Sequence, residues 1–412
     1  MQKTLIVVGG GAAGFFCAVN ARRLNPNLKA IILEKSSKLL TKVKVSGGGR
    51  CNVTHACFDI AEMIKKYPRG ANFVKKSFHQ FFTSHTIEWF RERGVMLKAE
   101  DDGRMFPVTN SSQTIVDCLM NEANKYGIEI LTNNEVQELT MVNGEWTLRL
   151  SSSRLLNASY ICIACGGYPN AVKFDWLKQL GHSIEDPVAS LFTFNLPQNP
   201  ITKLMGITVP DAQVQIRGTR LKQRGALLIT HWGLSGPAVL RLSAWGARAL
   251  ADSSYEFHVL INWIPEYNEH LLREKLMDLR FAMASYKIIN KNPFSLPQRL
   301  WEYFVYQSRI PENMRWSDLG SKEQNALIRN LVAQEYEVKG KTTFKEEFVT
   351  AGGIKLSEID AHTMQSKIVP NLFFAGEVMD IDGITGGFNF QHAWTSGFIA
   401  GKTIAKLLVA DS

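Results

Sequence analysis

The chain opens with a short apolar run rich in branched residues, 5–8, closed by glycines, which predicts a buried parallel strand. Residues 12–24 then carry a helical pattern, and 30–33 form a second apolar run ending at Glu34. Parallel strands need such a crossover, so the chain begins with one βαβ unit. Residues 72–93 and 111–126 read as helices. In the second, Ser111 or Ser112 offers the N-cap, Ile115 and Leu119 share a face, and Gly127 ends it. Three extended segments follow at 135–142, 146–150 and 155–164, the first two joined by Asn143-Gly144, a tight-hairpin signal. The meander after a βαβ start predicts a mixed α/β domain.

Near Pro187 the texture changes. Residues 206–265 read as short strands with turns, including 214–216, Leu221 and 226–230. Residues 266–336 are mainly helical in pattern, with Ser321 and Gln324 at capping-box spacing. Strand-like segments resume near Phe348, Phe373 and Phe374 lie in another, and 387–408 reads as a closing helix. No internal repeat or low-complexity segment interrupts this order. Residues 190–345 are therefore expected to be an insertion into a domain built from both ends of the chain, 1–189 and 346–412.

A length of 412 residues with 45% hydrophobic and 21% charged positions supports two or three domains and excludes a disordered chain. No apolar run reaches the roughly 20 residues of a membrane span. The N-terminal apolar run is not a signal peptide, because Gly9, Gly10, Gly11 and Gly14 interrupt it and no A-x-A site follows. Six cysteines are too few for a disulfide scaffold, so reduced thiols and a cytoplasmic location are expected. The net charge of +9 is uneven: residues 190–345 hold 20 Lys and Arg against 13 Asp and Glu, the remainder 27 against 25. Such an excess is either a solvated surface or a lure for an anionic partner.

The first chemical motif, Gly9-x-Gly11-x-x-Gly14, lies between the first strand and the first helix. Its glycines permit the tight turn, the approach of backbone to a pyrophosphate and the packing of helix on strand. Ala12 and Ala13 begin a helix whose free N–H groups and dipole favour phosphate. Glu34 stands 20 residues after Gly14, where a carboxylate accepts hydrogen bonds from a ribose diol. FAD and NAD share this fingerprint. The C-terminus separates them: an apolar strand at 372–374 leads to Gly376-Glu377, then to Gly386-Gly387-Phe388-Asn389 and a helix. In two-dinucleotide-fold flavoproteins a late Gly-Asp places its acid on the FAD ribitol, and the next helix stabilises negative charge at the pyrimidine end of the ring. Glu377 stands here for the usual Asp.

Cys162 to Gly167 resembles the Ala-Thr-Gly-Gly strand end of the same class, with Cys165 in place of Thr and Gly166 after it. Val136 falls where these proteins contact adenine through backbone. Ser46-Gly47-Gly48-Gly49-Arg50-Cys51-Asn52 supplies consecutive glycines that let backbone pass close to a flat ring. Five residues separate Cys51 from Cys57, where flavin disulfide reductases have four, and Cys162-x-x-Cys165 on a strand points its thiols apart, so dithiol chemistry is not expected. His231 is a candidate proton donor or a structural histidine. Arg104 binds an anionic group or braces a loop. Arg217, Arg220, Lys222 and Arg224 read as the solvent side of a hairpin; without interleaved aromatics, nucleic-acid binding is not expected. No metal site is expected.

Together these strings resemble the bacterial BaiN/YhiN-like flavoproteins, NAD(P)/FAD-dependent oxidoreductases. The likeness runs through Ser46 to Asn52, Gly103 to Pro107, Thr230 to Leu240, Ala351 to Gly353 and Gly376 to Gln391. Leu40 stands where that family usually has Gly, and Lys44 in a usually apolar stretch. The resemblance implies an α/β, FAD-binding Rossmann-like domain of the two-dinucleotide-fold type. It is interrupted by a β-barrel-like region (190–265) and a helical region (266–345) that cover the flavin. Non-covalent FAD would be held by Gly9, Gly11, Ala12, Ala13, Gly14, Glu34, Lys35, Lys42, Ser46, Gly47, Gly48, Val136, Cys165, Gly166, Gly376, Glu377, Gly386, Gly387, Phe388 and Asn389. Asn52, Arg104 and His231 are the candidate catalytic residues. The expected activity takes hydride from NAD(P)H, docked transiently because no second GxGxxG exists, and reduces a small, enone-like, and by its charge anionic, acceptor through flavin N5. The alternatives are an oxidase using O2 and a non-enzymatic, RNA-associated flavoprotein using the basic insert.

Overall fold

The computed structural model describes residues 2–343 and 349–410. The strand expected near Phe348 and the boundary at 345 and 346 lie outside the described residues. The chain folds into two compact units, residues 1–190 with 344–412, and residues 191–343.

The first unit is centred on a five-stranded parallel sheet in the order Leu372–Phe374, Tyr160–Ile163, Thr4–Val8, Lys29–Leu33, Glu129–Leu131. Its central strands are apolar and buried along nearly their whole length, as strands covered on both faces are. The helix Ala12–Leu24 links the first two strands and packs on the closing helix Phe388–Ala410. Glycines make that packing a backbone contact. A Cβ at Gly397 would stand 2.5 Å from the Ala13 carbonyl oxygen, and one at Gly401 2.4 Å from that of Cys17. Phe16 fills the space beside them, 4.3 Å from Trp89 and 5.0 Å from Trp394 between ring centroids.

The extended segment expected at 155–164 is two strands in different sheets. Leu155–Ala158 completes a meander with Val136–Val142 and Glu145–Leu150, and Tyr160–Ile163 enters the parallel sheet after Ser159 alone. Asn143 and Gly144 take φ of +54° and +82°, the left-handed pair a tight hairpin needs. The helix expected at 72–93 is broken into Ala71–Phe78 and Thr83–Arg91. At the next helix, Gln113–Lys125, the Ser112 hydroxyl donates to the Lys44 carbonyl, and it is the Ser111 hydroxyl that accepts from Gln113 N, at 3.3 Å.

The second unit is built on a seven-stranded sheet whose hydrogen-bonded pairs are antiparallel, ordered Gln334–Lys339, Glu256–Asn262, Thr208–Ile216, Lys222–Ile229, Gly233–Ser235, Thr193–Asn195, Lys341–Thr342. Two corrections follow. The sheet takes two strands, Gln334–Lys339 and Lys341–Thr342, from the stretch expected to be helical, so 265 is not a boundary within this unit. The alternation that buries Tyr336 and Val338 is that of a strand. Conversely, the stretch expected to be all strand contains the helices Pro237–Trp245 and Ala247–Asp252. The helices Glu269–Ala282, Gln298–Gln307 and Ser321–Val332 fall between two paired strands. Gly320 is the N-cap of the last of these, so Ser321 sits one position too late for the expected capping box.

Candidate flavin site

The first strand lies between Lys29–Leu33 and Tyr160–Ile163, and the glycine loop leaves it at that switch in strand order, where α/β sheets open a ligand crevice. Gly9 N donates to the Leu33 carbonyl at 2.7 Å, and Ala164 N to that of Val8 at 2.8 Å. Gly9 has φ of +121°, and a Cβ there would stand 2.3 Å from the Ala164 oxygen; one at Gly14 would stand 2.0 Å from the Gly9 oxygen. At Gly11 a Cβ would meet nothing within 4 Å. Two of the three glycines are therefore demanded by protein packing and the third by open space over a helix end. That end, at Ala12 and Ala13, has no side-chain cap and no acid in its first turn.

Glu34 is pinned on one side. Its Oε2 accepts from Gly10 N at 3.0 Å, and its Oε1 from Ser36 N and Oγ at 2.9 Å. Asn134 N donates to the Glu34 carbonyl, which brings the start of the Val136 strand beside it. Lys35 reaches over the Tyr168 ring. Burial pushes the Cys165 thiol up to about 11, so it stays protonated beside Tyr168 and has no thiolate chemistry at neutral pH. A Cβ at Gly166 would meet open space.

The C-terminal motif folds onto the N-terminal one. Gly376, with φ of +76°, leaves room for only 2.9 Å between a Cβ and that of Ala13. Its N–H donates to Ser396 Oγ at 2.9 Å, and its carbonyl accepts from His392 Nε2 at 3.3 Å. Glu377 Oε2 pairs with Lys42 Nζ at 2.5 Å while Oε1 accepts from Thr350 N at 2.8 Å. Gly387 has φ of +92° and presses on the Thr54 carbonyl, 2.5 Å from where a Cβ would stand. Asn52, buried, holds the two segments together, its amide oxygen accepting from Gly387 N and its nitrogen donating to the Thr54 carbonyl, each at 3.0 Å. His55 Nδ1 lies 3.0 Å from the Gly386 carbonyl, and its ring stacks on Phe388 at 4.7 Å. Asn389 exchanges two hydrogen bonds with the Gly383 backbone, shaping the loop before the last helix.

The loop from Ser46 breaks its helix at Ser46, Gly47 and Gly48. A Cβ on Gly47 would stand 2.8 Å from the Phe106 ring, whereas Gly48 and Gly49 face open space. Arg50 covers the same ring, 4.0 Å from its centroid, and pairs with Glu100 at 2.5 Å. Arg104 pairs with Asp102 at 2.7 Å and Glu100 at 3.2 Å, so it braces this loop.

These residues fit an FAD. A Cβ at Gly11, Gly48 or Gly166 would meet open space, the first helix end is uncapped, and Thr350 Oγ1 is buried without a partner beside Gly167 and Glu377. Residues 3–403 match the family described as HI0933-like protein Rossmann domain. The chain belongs to that family.

The HI0933-like chain is 30% identical over 408 residues to a ribosomal RNA dihydrouridine synthase of Escherichia coli, covering 97% of both chains. It is 25% identical over 409 residues to a 3-dehydro-bile acid delta(4,6)-reductase of Clostridium scindens, covering 97% of this chain and 98% of that one. Its fold resembles a flavocytochrome c3 fumarate reductase, with TM-score 0.52 and 17% identity over 98% of this chain and 78% of the other. A 3-ketosteroid-delta4-(5alpha)-dehydrogenase of Rhodococcus jostii gives 0.51 and 12%, covering 98% and 97%. The HI0933-like chain is an FAD-dependent oxidoreductase.

In this HI0933-like protein Leu40 takes φ of +55°, the left-handed conformation that glycine adopts without cost, while its side chain is buried and its N–H donates to the Gly10 carbonyl. His231 is exposed in the second unit, packed edge-on against Trp232. Cys51 is buried and pushed up to about 12 by that burial, and Cys162 shares a buried hydrogen bond with Cys17. Among the described residues no cluster of His, Cys, Asp and Glu could hold a metal, and no helix is long and apolar enough to cross a membrane. On the basic hairpin, Arg217 pairs with Glu335 and Arg224 with Asp211. Sequence reasoning missed Thr350, His392 and the buried pair of Arg69 with Asp382, all brought in by distant segments.

Proposed function

We propose that this oxidoreductase reduces a carbon–carbon double bond conjugated to a carbonyl, and that its acceptor is a uracil ring in ribosomal RNA. The observation that carries the reading is the whole-length likeness to the ribosomal RNA dihydrouridine synthase of Escherichia coli. Dihydrouridine is uridine with two hydrogens added across the bond conjugated to its carbonyl. That is the enone-like chemistry expected from the sequence, on a larger substrate. The basic excess of residues 190–345 suits a polyanion.

An FAD held at this site would supply hydride chemistry at its ring, with NAD(P)H as the reductant. Each double bond consumes one NAD(P)H and one proton, giving NAD(P)+ and two new C–H bonds. The chain's own part is to hold and orient. Gly11 and the uncapped end at Ala12 and Ala13 would receive the pyrophosphate, and Glu34, steadied by Gly10 and Ser36, the adenosine ribose. Lys42, Glu377 and the orphaned Thr350 hydroxyl would hold the ribitol. Gly48 would let the loop lie against the ring, and the helix start at Gly387 and Phe388, fixed by Asn52, would offer its positive dipole end to negative charge there.

A second reading, a small-molecule enone as acceptor, is favoured by the likeness to the bile-acid reductase. The test mixes anaerobic holoprotein with NADH or NADPH and follows flavin bleaching. Ribosomal RNA lacking dihydrouridine, or a steroidal enone, is then added. Dihydrouridine detected by mass spectrometry of the digested RNA supports the proposal. Reduction of the enone with RNA untouched supports the second reading. In a parallel aerobic assay, rapid peroxide formation with neither acceptor reduced overturns both in favour of an oxidase.

A further inference from the structure

We infer that the start of the helix Pro237–Trp245 in the second unit binds a phosphate group, held by the Ala238 N–H and Arg241 over Gly225. The site goes beyond both readings of the acceptor and stands on this unit alone.

Packing leaves this helix end uncapped. Gly236, the N-cap, lies so close to the strand Lys222–Ile229 that a Cβ there would stand 2.8 Å from the Ala226 carbonyl oxygen. A glycine N-cap has no side chain to offer, and Pro237 at the first helical position has no N–H. The first helical bond runs from Leu240 N to the Gly236 carbonyl at 3.0 Å. Ala238 and Val239 are fully buried, and among the described residues neither N–H has an acceptor. Buried backbone donors are rarely left in that state.

Arg241 is aimed at the same spot. Helical side chains lean toward the N-terminus, so a residue three positions on reaches back to Ala238. A Cβ on Gly225 would have two neighbours within 4 Å, Arg241 Nη1 at 3.7 Å and Ala238 N at 3.8 Å. Both are donors, and they converge on one point. Arg241 Nε is closed to solvent, and among the described residues the guanidinium has neither a hydrogen bond nor a carboxylate. Burial sets it apart from the unit's other cations. Arg217, Arg224 and Arg273 are matched to Glu335, Asp211 and Glu269, while Arg220 and Lys222 are exposed to water. The guanidinium keeps its charge at any pH the protein meets, and the positive helix end beside it adds charge of the same sign. A phosphate group offers one oxygen to the Ala238 N–H and another to the guanidinium, and its charge opposes both. It comes either from an RNA phosphodiester or from free phosphate.

The test follows the melting temperature of FAD-loaded protein as inorganic phosphate replaces sodium chloride at constant ionic strength. The wild type should gain about 3 °C, saturably, at a phosphate concentration about tenfold above its Kd. Arg241→Met should lose that gain, and in chloride alone it should melt about 2 °C above the wild type, because a cation without an acceptor has gone. A guanidinium that only braced the fold would give the opposite sign. Arg241→Lys keeps the charge and should keep a smaller gain, and Arg220→Met on the exposed hairpin should respond as the wild type does. A fluorescein-labelled oligouridine separates the two sources. If RNA supplies the phosphate, Arg241→Met weakens its binding about tenfold and reduces the magnitude of the log–log salt slope by about 0.7, one single-strand contact. If free phosphate is the ligand, oligouridine binding stays unchanged while the phosphate response is lost. Equal phosphate responses in the wild type and Arg241→Met, or a lower melting temperature of Arg241→Met in chloride, overturn the site. Neither result touches the dihydrouridine assay, which tests the RNA reading by itself.

Discussion

Lys42 and Glu377, 335 positions apart, meet at 2.5 Å, and the same carboxylate takes the Thr350 N–H on its other oxygen. One acid thus ties the flavin-side loop, the last parallel strand and the strand Val349–Ile354. Glu377→Gln keeps an acceptor for Thr350 N and loses the charge that holds Lys42. The expected result is a melting temperature within a few degrees of the wild type and FAD bound about tenfold more weakly, about 1.4 kcal/mol. Titration of apoprotein with FAD checks it; unchanged affinity would place the acid outside the cofactor's contacts.

The glycine motif separates fold from cofactor. At Gly14 a Cβ would lie 2.0 Å from a carbonyl oxygen of the adjoining loop, so Gly14→Ala should cost about 3 kcal/mol or more. At Gly11 it would meet open space, so Gly11→Ala should melt within about 0.5 kcal/mol of the wild type yet take up little FAD. Calorimetry with flavin absorbance reads both. Equal effects from the two substitutions would contradict the assignment.

The contrast between these glycines also marks what sequence can carry. The strand, glycine loop, helix Ala12–Leu24 and Glu34 were legible because each signal is local and periodic. Thr350, His392 and the Arg69–Asp382 pair were not. Each acquires its meaning from a segment far away in the chain, and a threonine in a strand looks the same whether its hydroxyl is orphaned or paired. The strand Gln334–Lys339 was hidden for another reason: its six residues follow directly on a helix, and its alternation is too short to stand out. Leu40 is the reverse case. A leucine gives no sign of left-handed backbone, and the sequence showed only that the family usually has glycine there.

Arg69 makes a two-pronged ion pair with Asp382, which is fully buried and also accepts from Ser190 Oγ at 2.7 Å. Burial, aided by the Glu377 charge, raises the Asp382 carboxyl above its usual range, and Arg69 opposes that shift. Arg69→Met strands the carboxylate and should cost about 3–5 kcal/mol at pH 7. An acid whose folded pKa is raised binds its proton more tightly when folded, so the variant should recover part of this loss as pH falls toward the carboxylate range. Urea unfolding at pH 7 and pH 5 measures it. A deficit that does not shrink at pH 5 would mean that Asp382 is not the group responsible.

His392 carries the opposite pH dependence. It is buried in the last helix with Nε2 donating to the Gly376 carbonyl and Nδ1 without a partner, and burial lowers its pKa from 6.5 to about 4. The folded ring is therefore neutral where the unfolded one is already charging. A base with a depressed folded pKa contributes stability that is full above pH 6.5 and is lost as pH falls toward 4. The whole window is worth about 3 kcal/mol, and the loss by pH 5 about 2 kcal/mol. His392→Gln has no proton to gain and keeps a donor for the Gly376 carbonyl. Its unfolding free energy should be lower than that of the wild type at pH 7 and fall less steeply between pH 7 and pH 5. Parallel pH profiles for the two proteins would assign the acid sensitivity elsewhere. Because Gly376 also rests on Ala13 at the first helix end, the variant should bind FAD more weakly at pH 7 as well, and flavin release on dilution reads that effect separately from stability.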